Sequence, residues 1–122
     1  TREQVTLADL GLPQQLALFD YIADKLGAPP PVVDSKDILK NPKKQLGLLC
    51  NALGIEFDEA MLDWPEGPRD TDGVWAPWWY KNVEASTGFA PYKYVEPALD
   101  DHLFEIAELA QPFYDKLARY RL

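Results

Sequence analysis

Arg69 and Lys81 are the side chains that the sequence best equips to hold an anion. Gly67 and Gly73 let backbone approach a ligand beside Arg69, and aromatic residues surround both cations. Between the two cations runs Asp72-Gly73-Val74-Trp75-Ala76-Pro77-Trp78-Trp79-Tyr80, with three of the chain's four tryptophans inside five residues. Aromatics this dense are costly to leave in water and costly to order without a partner. The tract must therefore pack on a core, on another subunit, or on a flat ligand such as a nucleobase.

The other chemistry-bearing residues have simpler readings. His102, the single histidine, follows Asp100 and Asp101 and is expected on the surface, and no Ser or Cys nucleophile can be arranged around it. Asp58 and Asp100 suit helix N-termini, where the dipole favours a carboxylate. Asp70 and Asp72 lack the further oxygen ligands of a hard-cation loop. Cys50 is the one cysteine, so neither an intrachain disulfide nor a thiolate cage can form, and it is expected buried and inert. Lys36, Lys40, Lys43 and Lys44 read as a solvated face that could meet an acidic partner. No catalytic residue and no metal site is assigned.

The chain has 122 residues, 47% of them hydrophobic, and a net charge of −8. That length suits a single domain, 1–122, with a packed core. The charge argues against nucleic acid and anionic membrane as partners, since both rest on clustered Lys and Arg. No apolar run approaches a membrane span, and Thr1-Arg2-Glu3-Gln4 does not start a signal peptide. Cysteine usage fits a reducing, cytoplasmic setting. The absence of an initial Met points to a fragment of something larger.

The elements that must position these residues are mostly helical. Thr6 can cap a turn through Leu10, with Asp9 completing a variant capping box and Gly11 ending it. Pro13 opens a helix whose stripe is Leu16, Phe19, Ile22, Ala23 and Leu26, closed by Gly27. Val32-Val33 follows Pro29-Pro30-Pro31 as a short strand. A helical turn runs to Leu39. Asn41-Pro42 then starts a helix with Leu46, Leu49, Cys50 and Leu53 on one side, ended by Gly54. Asp58 caps Glu59 to Leu62. Trp64 to Gly73 is loop by composition. Pro77 starts a helix from Trp78 to Ser86. The last helix spans Ala98 to Arg121, with Pro112 expected to kink or break it. The expectation is a mainly α fold of about six helical segments and one short strand. One strand cannot be a sheet, so Val32-Val33 is either an irregular link or the edge of a sheet supplied from outside this chain.

Val32-Val33-Asp34-Ser35-Lys36-Asp37-Ile38-Leu39-Lys40-Asn41-Pro42, followed by Leu46, Leu49-Cys50, Leu53-Gly54-Ile55 and Phe57, resembles the late part of the P-loop sulfotransferase family. There a buried strand leads through an acidic-Asp-Leu turn and Asp-Pro into a helix ending in Leu-Gly-Ile. Gly73-Val74-Trp75 and Lys81-Asn82 resemble that family's closing loop. The Trp-Ala-Pro-x-Trp-Tyr and Ser-Thr-Gly-Phe run is similar to a bacterial sulfotransferase-like branch. The resemblance covers Leu10 to Tyr120 and implies the C-terminal part of a P-loop α/β fold. It implies a parent that transfers a sulfuryl group from 3′-phosphoadenosine 5′-phosphosulfate to a hydroxyl or amine. Arg69, Gly73, Trp75 and Lys81 would then border the nucleotide or acceptor site. The phosphate-binding Gly-x-x-x-x-Gly-Lys-Ser/Thr loop has no match here. In place of the family's Arg-Lys-Gly-x-x-Gly stand Pro68 to Gly73, where Arg69 keeps a charge and Asp70 and Asp72 repel phosphate at close range. The isolated chain is therefore expected to be inactive and to bind no cofactor by itself. Its expected partner is the missing N-terminal half, or a second copy through Trp75, Trp78 and Trp79. Two alternatives stand beside this: a free-standing helical interaction domain and a small-molecule binding module without catalysis.

Overall fold

Helix signals in the sequence turn into helices almost one for one. The computed structural model describes residues 4–122; Thr1, Arg2 and Glu3, part of the tract read as no signal peptide, lie outside the described residues. Among the described residues the helices are α1 (Leu7–Leu10), α2 (Leu12–Leu26), α3 (Ser35–Lys40), α4 (Pro42–Leu53), α5 (Ala76–Trp79), α6 (Lys81–Ala85) and α7 (Asp101–Ala118), with a 3₁₀ turn at Glu59–Met61. The fold is mainly α, as expected. Contacts group the chain into two units, the first built from the chain up to Asp34 together with Lys93–Leu122, the second from Ser35–Tyr92.

In the first unit, the Asp9 carboxylate accepts the Thr6 N–H at 2.7 Å and the Thr6 hydroxyl at 2.8 Å. The backbone bond and then the hydroxyl bond hold the Asp9 carboxyl below the ordinary aspartate range, because both stabilise the charged form. Helix α2 packs on α7, and α1 packs on both. Phe19, Ala110 and Leu117 are buried there, and the Phe19 and Tyr120 rings lie 4.8 Å apart. Asp100 caps α7 by accepting the Leu103 N–H at 2.9 Å. His102, expected merely on the surface, is half-buried, and its Nε2 donates to the Val5 carbonyl at 2.8 Å.

Val32-Val33 does not become a strand. Val32 forms one isolated parallel bridge to Arg121, and Leu122 N–H donates to the Val32 carbonyl at 3.0 Å. The adjacent Asp34 carboxylate accepts the Tyr114 hydroxyl and lies 3.9 Å from the Arg121 guanidinium. The C-terminal end of α7 is thus tied to the segment after the triple proline by backbone and side chain together. Helix α7 runs through Pro112 without a break.

In the second unit, α3 and α4 are in contact, separated in the chain by Asn41 alone. Asn41 caps α4 by accepting the Lys44 N–H at 3.2 Å. Gly54 ends it at φ 70°, a left-handed backbone that suits glycine. Cys50 is buried, as expected, with its Sγ 3.9 Å from Met61 Sδ. Asp58 caps the 3₁₀ turn through the Ala60 N–H at 2.9 Å. The single helix expected from Trp78 to Ser86 is two short ones, joined at Tyr80, where Tyr80 N–H still donates to the Ala76 carbonyl at 3.0 Å. Several stripe residues that helical spacing sends to a core are exposed instead, among them Leu26, Leu53 and Leu109.

Candidate functional site

The loop that carries Arg69 is held by backbone pairing, despite its loop-like composition. Trp64 N–H donates to the Thr87 carbonyl at 3.0 Å and Gly67 N–H to the Glu84 carbonyl at 2.7 Å. Next to the first of these, Asp63 and Gly88 form an antiparallel bridge. A Cβ on Gly88 would lie 3.1 Å from the Leu62 carbonyl oxygen, so the two strands of chain approach closely because residue 88 has no side chain.

Trp64 locks this pairing. Its indole N–H donates to Ser86 Oγ at 2.9 Å, Ser86 Oγ donates to the Val83 carbonyl at 2.7 Å, and its ring meets Phe89 edge-on at 5.5 Å. Sequence reasoning missed Trp64 and Ser86. The contact joins residues 22 apart through a loop, so no helical or strand period marks it.

Arg69 sits half-buried at the inner edge of this clamp. Its Nη1 donates to the Gly67 carbonyl at 3.1 Å and its Nη2 to the Pro65 carbonyl at 3.0 Å. Asp72 is tied to Arg69: its carboxylate accepts the Arg69 N–H at 2.9 Å, and its own N–H donates to the Arg69 carbonyl at 3.0 Å. Asp70 stays exposed.

The remaining candidates continue along the same stretch of chain. The Gly73 carbonyl accepts the Ala76 N–H at 3.0 Å, and the Trp75 carbonyl accepts the N–H groups of Trp78 and Trp79, each at 3.1 Å. These bonds form α5. Lys81 is exposed at the first position of α6. The structure thus places Arg69, Gly73, Trp75 and Lys81 on one continuous run of turns and short helices. It does not bury the indoles: Trp75, Trp78 and Trp79 are 65%, 80% and 73% exposed.

Chemically, the loop offers a fixed cation. Two of the five guanidinium N–H donors of Arg69 are committed to carbonyls, which orients the remainder at little further entropic cost. The arrangement suits one anionic group met from the edge. It is not a phosphate cradle, because Gly67 N–H is already bonded and Asp70 adds negative charge. Among the described residues no group of three or more His, Cys, Asp and Glu is placed to hold a metal ion, and no helix is long and apolar enough to cross a membrane.

The sequence pattern of the sulfotransferase domain matches residues 1–120. The chain belongs to the sulfotransferase-domain family. Two Arabidopsis thaliana proteins are similar to this sulfotransferase-family chain. Branched-chain-amino-acid aminotransferase-like protein 1 is 39% identical over 110 residues, covering 89% of this chain and 20% of that protein. Branched-chain-amino-acid aminotransferase-like protein 2 is 36% identical over 110 residues, covering 89% and 19% respectively. The chain therefore spans about a fifth of the length of the curated relatives it matches. No solved structure gives a significant match. Both relatives are plant proteins, so they lend no support to the resemblance to a bacterial branch.

Proposed function

We propose that this sulfotransferase-family chain is the C-terminal part of a protein that transfers a sulfuryl group from 3′-phosphoadenosine 5′-phosphosulfate to a hydroxyl or amine acceptor. Membership of the family over residues 1–120 is the observation that carries the reading. When bound, the donor nucleotide supplies the activated sulfuryl group. This chain contributes the border of that site. Arg69, held by the Pro65 and Gly67 carbonyls, gives charge-assisted donors to an anionic oxygen. Gly73 leaves the approach open, Trp75 offers a face for a planar ring, and Lys81 adds a second, mobile cation. No residue of this chain is assigned as catalytic base. The phosphate-binding loop has no counterpart in its sequence, so the isolated chain is inactive on this reading. We assign the aminotransferase in the relatives' names to the four-fifths of their length outside the match.

The test is nucleotide binding by the full-length parent, measured calorimetrically with adenosine 3′,5′-bisphosphate. Arg69→Ala and Lys81→Ala each weaken binding by about ten-fold, about 1.4 kcal/mol. Unchanged affinity in both variants removes these residues from the nucleotide border. No heat with the unmodified parent removes the donor assignment itself.

A further inference from the structure

Arg69 is oriented by two carbonyls, and those carbonyls are only as fixed as the segment that carries them. Its Nη1 bonds the Gly67 carbonyl at 3.1 Å and its Nη2 the Pro65 carbonyl at 3.0 Å. Residues 64–67 belong to no helix or strand, and Gly67 sits at φ 111°, a backbone that a side chain would strain. Two backbone bonds tether the ends of this segment, from Trp64 N–H to the Thr87 carbonyl at 3.0 Å and from Gly67 N–H to the Glu84 carbonyl at 2.7 Å. The side-chain anchor is Trp64. Its indole N–H reaches Ser86 Oγ at 2.9 Å, its ring meets Phe89 at 5.5 Å, and Ser86 passes the connection on to the Val83 carbonyl at 2.7 Å. Val83 lies in α6, the helix that begins at Lys81. A continuous series of bonds therefore runs from the Arg69 guanidinium, through the 64–67 backbone, the indole and the Ser86 hydroxyl, to the helix that carries the second cation.

We propose that Trp64, acting through Ser86, is a positioning residue for Arg69. By holding the Pro65 and Gly67 carbonyls in place, it keeps the guanidinium oriented before an anion arrives. A long side chain that must be ordered on binding weakens the complex, and one already bonded in place does so less. The indole N–H is the group that matters. A phenyl ring at residue 64 keeps much of the contact with Phe89 and cannot donate to Ser86. The orienting of Arg69 stands on these hydrogen bonds alone; its effect on nucleotide affinity rests on the sulfotransferase reading.

Two measurements on the full-length parent test it. The first uses no nucleotide. Nitrogen-15 NMR of arginine-labelled protein follows rotation about the Arg69 guanidinium bonds, which the two carbonyls hinder. That rotation should speed up in Trp64→Phe and in Ser86→Ala, and stay slow in Ser86→Thr, which keeps the hydroxyl. The second is calorimetry with adenosine 3′,5′-bisphosphate. Affinity should fall about five-fold in Trp64→Phe and in Ser86→Ala, the scale of immobilising one free arginine, and recover in Ser86→Thr. In an Arg69→Ala background the same changes should leave affinity flat, because the residue through which they act is gone. Unchanged Arg69 rotation in both Trp64→Phe and Ser86→Ala overturns the proposal. So does an affinity loss that is equally large without Arg69, the mark of general damage to the loop. A parent that binds no nucleotide, or binds it equally well as Arg69→Ala, removes the nucleotide reading instead, and the rotation measurement still decides whether Trp64 orients Arg69.

Discussion

Replacing Tyr114 by Phe isolates the contact that ties the end of α7 to the segment after the triple proline. Tyr114 donates its hydroxyl to the Asp34 carboxylate, whose side chain is 15% exposed. A hydrogen bond to a charged group contributes about 1.5 to 3 kcal/mol when well shielded. Tyr114 is 39% exposed, which lowers the expected loss to about 1 kcal/mol. For a unit of this size that corresponds to a fall of roughly 4 to 8 °C in melting temperature. The bond also sets a pH signature. The hydrogen bond to Asp34, then burial and the Asp34 charge, raise the Tyr114 pKa above its ordinary value of 10.0. A group with a raised folded-state pKa contributes stability that is complete below the unfolded value and disappears as pH climbs through the folded one. The unmodified chain should therefore lose melting temperature above about pH 10, and Tyr114→Phe should lose less over the same interval. Thermal melts followed by circular dichroism, near neutral pH and at about pH 11, measure both effects. Equal melting temperatures near neutrality, with parallel alkaline losses, would refute the assignment.

Trp64→Phe should cost about 1 kcal/mol from the lost indole bond to Ser86, plus a smaller packing loss, seen as a lower urea midpoint at unchanged slope. Gly88→Ala should also lower that midpoint, by about 1 kcal/mol, because the new methyl meets the Leu62 carbonyl at 3.1 Å and the paired backbone cannot move aside freely. The Asp9 carboxyl, followed by carbon-detected NMR, should titrate below free aspartate, and Thr6→Ala should move its midpoint up. Since that pKa is depressed, the cap is intact above the unfolded aspartate value and is lost as pH falls through the folded one.

Local chemistry made the helices legible. Thr6 with Asp9, Asn41 with Pro42, Asp58 and Asp100 each state a helix start within four residues, and Gly11, Gly27 and Gly54 each state an end. The second unit's loop was not legible, because its order comes from partners far along the chain. Trp64 finds Ser86 and Phe89, and Gly67 finds Glu84. Nothing periodic announces such pairs. The break between α5 and α6 was missed for a related reason. Spacing detects a helical run but not the point at Tyr80 where one short helix hands over to the next. The candidate site was half legible. Composition named Arg69 as a cation near glycines. It could not show that the Asp72 carboxylate caps the Arg69 backbone N–H.

Periodicity also fails in an instructive direction. It identifies faces that are able to be buried, and burial requires an opposing surface. Leu26, Leu109 and the three indoles all obey helical spacing and all remain exposed. The chain exposes 9895 Å², whereas two separate compact bodies of half its mass would expose about 8000 Å². The excess is of the order of one or two standard interfaces. A chain in this condition gains stability from whatever covers it, because a ligand that binds the folded form alone stabilises it by mass action.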